Sequence, residues 1–120
     1  MWITVAGILG ALAVAAGAFG AHGLRDRVGP DQLAAWSTAC QYHLLHSAVI
    51  LALALYAAGE DREIRWPASL FVVGIVLFSG SLYLLVLTPF RWLGPVTPVG
   101  GLCLIAGWIS LLSLAGQGGR

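Results

Sequence analysis

Charge in this chain is confined to a few short stretches, and the intervals between them are long enough to cross a lipid bilayer. The charged residues are Arg25, Asp26, Arg27 and Asp31, then Glu60, Asp61, Arg62, Glu63 and Arg65, then Arg91, and last Arg120. The hydrocarbon core of a bilayer needs about 20 apolar residues in helical form. Residues 2–21, 40–58 and 67–87 meet that length, and 98–115 comes close. Apolar runs this long do not alternate as barrel strands do, so each is expected as helix. With 59% of 120 residues hydrophobic and 9% charged, the chain lacks the polar shell of a small soluble domain. The same figures exclude a disordered chain and a nucleic-acid binder. A net charge of +1 and two Cys point to no electrostatic partner and no disulfide scaffold.

The expected fold is therefore an all-α membrane protein, a four-transmembrane-helix up-down-up-down bundle. Residues 1–120 form one membrane domain with helices at about 2–22, 32–58, 67–87 and 98–115. Short links make successive helices antiparallel neighbours and leave both termini on one face, side A. Asp31 is the expected N-cap of the second helix, which projects about two turns beyond the hydrocarbon. Pro89 and Pro95 forbid a continuous helix between the third and fourth spans. Residues 116–120 read as a flexible end. The first helix lacks the basic start and short apolar run of a signal peptide, so it is expected to be retained. Eleven of its residues from 2 to 21 are Gly or Ala. Gly7, Ala11 and Ala15 form one small stripe and Ala13, Gly17 and Ala21 another, which implies burial among the other helices or an oligomer contact. Gly17→Leu is accordingly expected to harm folding more than Leu9→Ala. Arg62, Arg65 and Arg120 on side A balance Arg25, Arg27 and Arg91 on side B, so charge alone does not orient the chain.

Polar residues inside membrane helices are costly, which makes them the place to look for function. Topology carries His22, Gln41, Tyr42, His43, His46, Ser47, Ser79, Ser81, Tyr83 and Thr97 to the side B half of the membrane. The other half is almost entirely apolar. His22, Tyr42, His46, Ser79, Ser81, Tyr83 and Thr97 are the candidate cluster, and they are expected to meet in one layer. A structural hydrogen-bond network is the leading account of it. His43 and His46 have the i,i+3 spacing of a metal or haem ligand pair, but no Cys, Asp or Glu completes a set on that helix. No metal, cofactor or catalytic residue is expected. Cys40 and Cys103 are expected as free buried thiols. Trp36, Trp66 and Trp92 fall near helix ends, where indoles prefer the interface, and Trp108 reads as packing. Arg91 beside the cluster reads as an interface anchor ahead of a lipid-phosphate ligand. No membrane helix holds a carboxylate, which disfavours proton-coupled transport and leaves only His as a proton carrier. No Ser-His-Asp set and no phosphate loop is present, so an enzyme is not expected.

Four ordered motifs carry a resemblance. They are Gly17-Ala18-Phe19-Gly20-Ala21-His22, the Tyr42 to His46 segment, Phe78-Ser79-Gly80-Ser81-Leu82-Tyr83, and Thr97-Pro98-Val99-Gly100-Gly101 followed by Ala106-Gly107-Trp108. Together they resemble domain-of-unknown-function family 423 along essentially the whole chain. The resemblance implies a small stand-alone four-helix protein of the bacterial cell inner membrane, multi-pass, N-in and C-in. It brings no catalytic residue and no ligand, and its motif positions include His22, Tyr42 and His46 but not His43.

Three functions stay in play. The first is a non-enzymatic accessory or interaction protein with a one-sided polar cluster. The second is an oligomeric small-molecule transporter or channel with His22 and His46 lining a path. The third is a lipid-, quinone- or haem-binding module. Expected partners are membrane lipid and a homo-oligomer or larger membrane complex, with no nucleic acid.

Overall fold

The computed structural model describes residues 1–59 and 62–118; the expectations placed on Glu60, Asp61 and Arg120 fall outside them. Among the described residues there are helices and no strands. Helix α1 spans Trp2–Phe19, α2 Pro30–Ala57, α3 Arg65–Leu87 and α4 Val96–Gly118. Each is long and apolar enough to cross a membrane.

Prolines set two of the helix starts, though not as the sequence suggests. A proline at the first helical position would begin α3 at Pro67 and α4 at Pro98. Both helices instead begin two residues earlier, at Arg65 and Val96. The first four N–H groups of a helix have no partner within it, so a ring that lacks an N–H is equally welcome anywhere in that turn. Helix α2 does start on a proline. Gly29 is its N-cap with extended backbone, Pro30 follows, and the Gln32 side chain accepts from the Gly29 N–H at 3.2 Å. The expected cap, Asp31, thus sits inside the first turn, where its charge faces the positive helix end. Thr88 is extended because Pro89 follows it. A single 3₁₀ turn, Arg91–Leu93, then leads into α4. At the other end α4 continues to Gly118 rather than loosening at Gly116, carried on by the strong helix formers Leu114 and Ala115.

Packing follows chain order. The α3–α4 contact is the most extensive, and α2 lies between α1 and α3. The apolar core comprises Ile50 and Leu53 of α2, Ala68, Phe71 and Ile75 of α3, and Leu104 and Leu114 of α4. Helix α1 is the outlier. It packs on α2 and leaves most of its surface to lipid, including the whole Gly7, Ala11, Ala15 stripe. Its contact stripe runs instead through Ala6, Gly10, Ala13 and Gly20. Burial of α1 among the other three helices is therefore ruled out. Small residues mark where a close approach is permitted, and α1 carries them on more faces than it has neighbours.

Glycine is required at the other crossings. A Cβ on Gly100 would run into the α3 backbone at Leu77 and Phe78. One on Gly107 would meet the Phe71 ring at 2.8 Å, and one on Gly20 the Trp36 indole at 2.5 Å. At Gly17 it would meet nothing within 4 Å. The expectation for Gly17→Leu is thereby revised. Gly100→Ala should destabilise the bundle by about 1–3 kcal/mol, the usual cost of overpacking. Gly17→Leu should stay within about 0.5 kcal/mol of the parent, as for an exposed site. Thermal unfolding of both variants in detergent is the measurement, and equal losses would contradict this packing.

Candidate functional site: the intramembrane polar ladder

Each helix contact in the bundle is crossed by a side-chain hydrogen bond. The reason is solvent: hydrocarbon satisfies no donor or acceptor, so a polar side chain in the span must turn inward and find a partner. Between α1 and α2, the Trp36 indole donates to the Ala16 carbonyl at 2.8 Å. Between α2 and α3, the Ser79 hydroxyl donates to the Ala39 carbonyl at 2.8 Å, and His43 Nδ1 pairs with the Tyr83 hydroxyl at 2.9 Å. Between α3 and α4, the Ser81 and Thr97 hydroxyls pair at 2.5 Å. From α4 to α2, the Trp108 indole donates to His46 Nε2 at 3.1 Å.

His46 is fixed on both sides. Its Nδ1 lies 2.7 Å from the Tyr42 carbonyl, which can only accept, so Nδ1 carries the proton. Its Nε2 then accepts from Trp108. The ring is neutral, 2% exposed and has no nitrogen left for a metal or a moving proton. Phe71 packs 5.5 Å from the His46 ring and edge-on to Trp108 at 5.6 Å, in the space that Gly107 leaves. Tyr42 stacks on His46 at 5.9 Å and against Phe78 at 4.8 Å. These aromatic contacts close the apolar side of the pair.

His43 is different. Nδ1 is taken by Tyr83, whose hydroxyl also has the Cys40 thiol beside it. The ring is 5% exposed, yet Nε2 has no hydrogen-bond partner. The Leu9 backbone of α1 lies next to the ring without completing a bond. Among the described residues this is the one buried side-chain polar atom left unpaired.

The expected cluster is thus partly assembled and partly redrawn. Ser79, Ser81, Tyr83, Thr97 and His46 point inward and are bonded. Tyr42 contributes its carbonyl and ring face, while its side chain is half exposed. His22 stands outside. It lies on the π-helical turn Gly20–Leu24 that ends α1, exposed and away from the other members. Its depth matches theirs, but only α2 covers α1 and His22 faces away from it. Nor do the members share one layer. His46 lies seven residues beyond Ala39, about 10 Å along the axis at 1.5 Å per residue. The bonds form a descending ladder from side B to mid-membrane.

Three members escape the sequence reading. His43 is as deeply engaged as His46. Trp36, expected at the interface, is buried against Gly20, Phe19 and Tyr83. Trp108 was expected only to pack. The signal available was the indole N–H, which must find an acceptor when withdrawn from water. Trp66 and Trp92 are exposed at helix ends, as interfacial anchors should be. Cys40 and Cys103 are free and half-buried. The two histidines of the i,i+3 pair are bonded to different helices, so they do not face a common ligand.

Replacing one partner in the His46–Trp108 pair tests the ladder. In a double-mutant cycle of His46→Ala and Trp108→Phe, the coupling should be near the membrane average of about 0.6 kcal/mol, and no more than about 1.7. Unfolding in mixed micelles measures it; a coupling of zero would remove the bond from the account.

Comparison with known proteins agrees with this architecture. The family described as "Protein of unknown function (DUF423)" matches residues 16–101. The UPF0382 membrane protein YwdK of Bacillus subtilis is 39% identical, over 96% of this chain and 95% of its own. The UPF0382 membrane protein of Staphylococcus epidermidis is 43% identical over 88% of this chain and 89% of its own. One from Schizosaccharomyces pombe is 44% identical, with 90% and 95% covered. No solved structure matches the chain.

Proposed function

The chain belongs to the DUF423 family of integral membrane proteins of unknown function, and we propose that it acts there as a non-enzymatic accessory or interaction protein. One observation carries this reading: most of the polar side chains of the ladder are engaged in bonds that join one helix to another. The hydroxyls of Ser79, Ser81 and Thr97 and Nε2 of His46 hold helices together, while His46 Nδ1 is bonded within α2. That arrangement favours a clasp over a catalytic set, since an activated nucleophile needs a base free to take its proton.

The transporter reading draws no comparable support. Below the His46–Trp108 pair the core is filled by Ile50, Leu53, Phe71 and Leu114, with no continuous polar stripe leading to side A among the described residues. His22 lies on the outer face of α1, away from any path that His46 could line.

A helical bundle suits the inner membrane, since bacterial outer-membrane spans are barrels. Both termini are assigned to the cytoplasm, and the partners to membrane lipid together with a second copy or a larger complex. Reporter fusions at both ends should each report a cytoplasmic location. Purified protein in sealed vesicles should leave proton and small-solute permeability at the level of empty vesicles. A leak abolished by His46→Ala would overturn the accessory reading in favour of transport.

A further inference from the structure

Helices α1 and α3 flank α2 without closing on each other, and a groove of about 380 Å³ is left between them. One wall is Leu9, Leu12 and Ala16 of α1; the other is Ile75, Val76 and Gly80 of α3. His43 lies on its floor. Its Nδ1 is held by Tyr83 of α3, and the Leu9 backbone of α1 lies beside the ring. Nε2 is unpaired and has almost no exposed surface, so a bound molecule reaches it by displacing the groove wall.

We propose that this groove binds one neutral lipophile through a carbonyl oxygen, with His43 Nε2–H as the donor. The inference deepens the accessory reading by naming its ligand chemistry. The polarity of the donor follows from its partners. A phenol O–H donates well to an imidazole nitrogen, whereas a thiol is a weak acceptor. Tyr83 therefore donates to Nδ1, and the ring proton stays on Nε2. A buried donor with no acceptor is costly in hydrocarbon, so a ligand that supplies one gains what the empty site lacks. No charged residue lines the groove, which excludes recognition of an ionic headgroup. Neutral molecules that join a carbonyl to long apolar chains are isoprenoid quinones and glycerolipid esters.

Gly80 supplies an independent observation. Unlike Gly74, Gly100 and Gly107, it is not required by packing: an added Cβ would meet nothing within 4 Å. Its missing side chain is open space in the wall of the groove. The groove between α2 and α4 provides the contrast. It is about 510 Å³ and bounded by Val49, Leu53, Leu111 and Leu114 among others, with Tyr56 also in its lining, and it contains no buried unpaired polar atom among the described residues. Apolar solutes can partition into either groove, but among the described residues only the first has a buried, unpaired polar atom in its lining.

The test uses the full chain in detergent micelles, read by native mass spectrometry. Three probes are titrated: decylubiquinone, dioctanoylglycerol and an alkylbenzene of matched length. One molecule of a carbonyl probe should bind more tightly than the alkylbenzene. His43→Phe, which keeps the ring and loses the donor, should weaken that binding about threefold to tenfold, the range for one hydrogen bond. His43→Gln keeps an amide donor and should restore much of it. Gly80→Leu should fill the groove and block binding while the melting temperature is unchanged. If His43→Phe fails to fold, Gly80→Leu carries the test alone. Preference for the quinone or for the glycerol ester identifies the source. Equal binding of the alkylbenzene, or binding unaffected by either substitution, would overturn the proposal and leave the accessory reading intact. Recovery of a bound probe with altered mass would support the site while overturning the non-enzymatic reading.

Discussion

Hydrocarbon offers no hydrogen bonds, and the placement of side chains in this bundle depends on that fact more than on any single contact. In water, Ser79 or Trp108 could face outward at little cost, and helix order would be left to apolar packing alone. In a membrane there is no hydrophobic force between helices, because lipid tails are as apolar as leucine. Register must come from shape and from the few polar groups. Here they divide the work. Ser79 on Ala39, Ser81 on Thr97 and Trp108 on His46 each fix one helix against another. Each bond is weak, but the alternative for its donor is worse.

Shape sets the other half of the register, through residues defined by what they omit. Gly100 lets α4 rest on the backbone of α3, and Gly107 admits the Phe71 ring that walls in His46. The two devices are coupled. Without the space at Gly107, Phe71 could not reach the indole–imidazole pair, and one flank of that pair would lie open. On the other side of the bundle, Gly20 lets the Trp36 indole lie against α1 while its N–H reaches Ala16. A glycine and an aromatic residue act together at both places.

Much of the architecture was legible in the sequence because depth is a one-dimensional property. Gaps between charges give helix number, short links give alternation, and position along a helix gives distance from the membrane surface. That is why the sequence places Ser79, Ser81, Tyr83 and Thr97 toward one end of the bundle, where the structure has them bonded. Direction around the helix axis was not legible for α1. Its composition is small and apolar on every side, so nothing marks the face that meets α2. His22 shares the depth of the ladder and none of its contacts for that reason. The prolines of α3 and α4 misplaced the starts by two residues, since any position in the first turn tolerates a missing N–H. His43 was undervalued because spacing to His46 suggested a shared ligand, while the helix directs the two rings to different neighbours.

The one-sided attachment of α1 has a mechanical consequence. Helix α1 packs on α2 alone, along a single seam of small residues and one indole bond. Bilayers thicker or thinner than a helix are accommodated by tilting, at a fraction of a kcal/mol per Å. A change in the inclination of α1 would alter how far its Leu9 and Leu12 stand from α3 across the groove. A bilayer of a different thickness that tilted α1 would thus act, as a lever does, on the width of the space above His43.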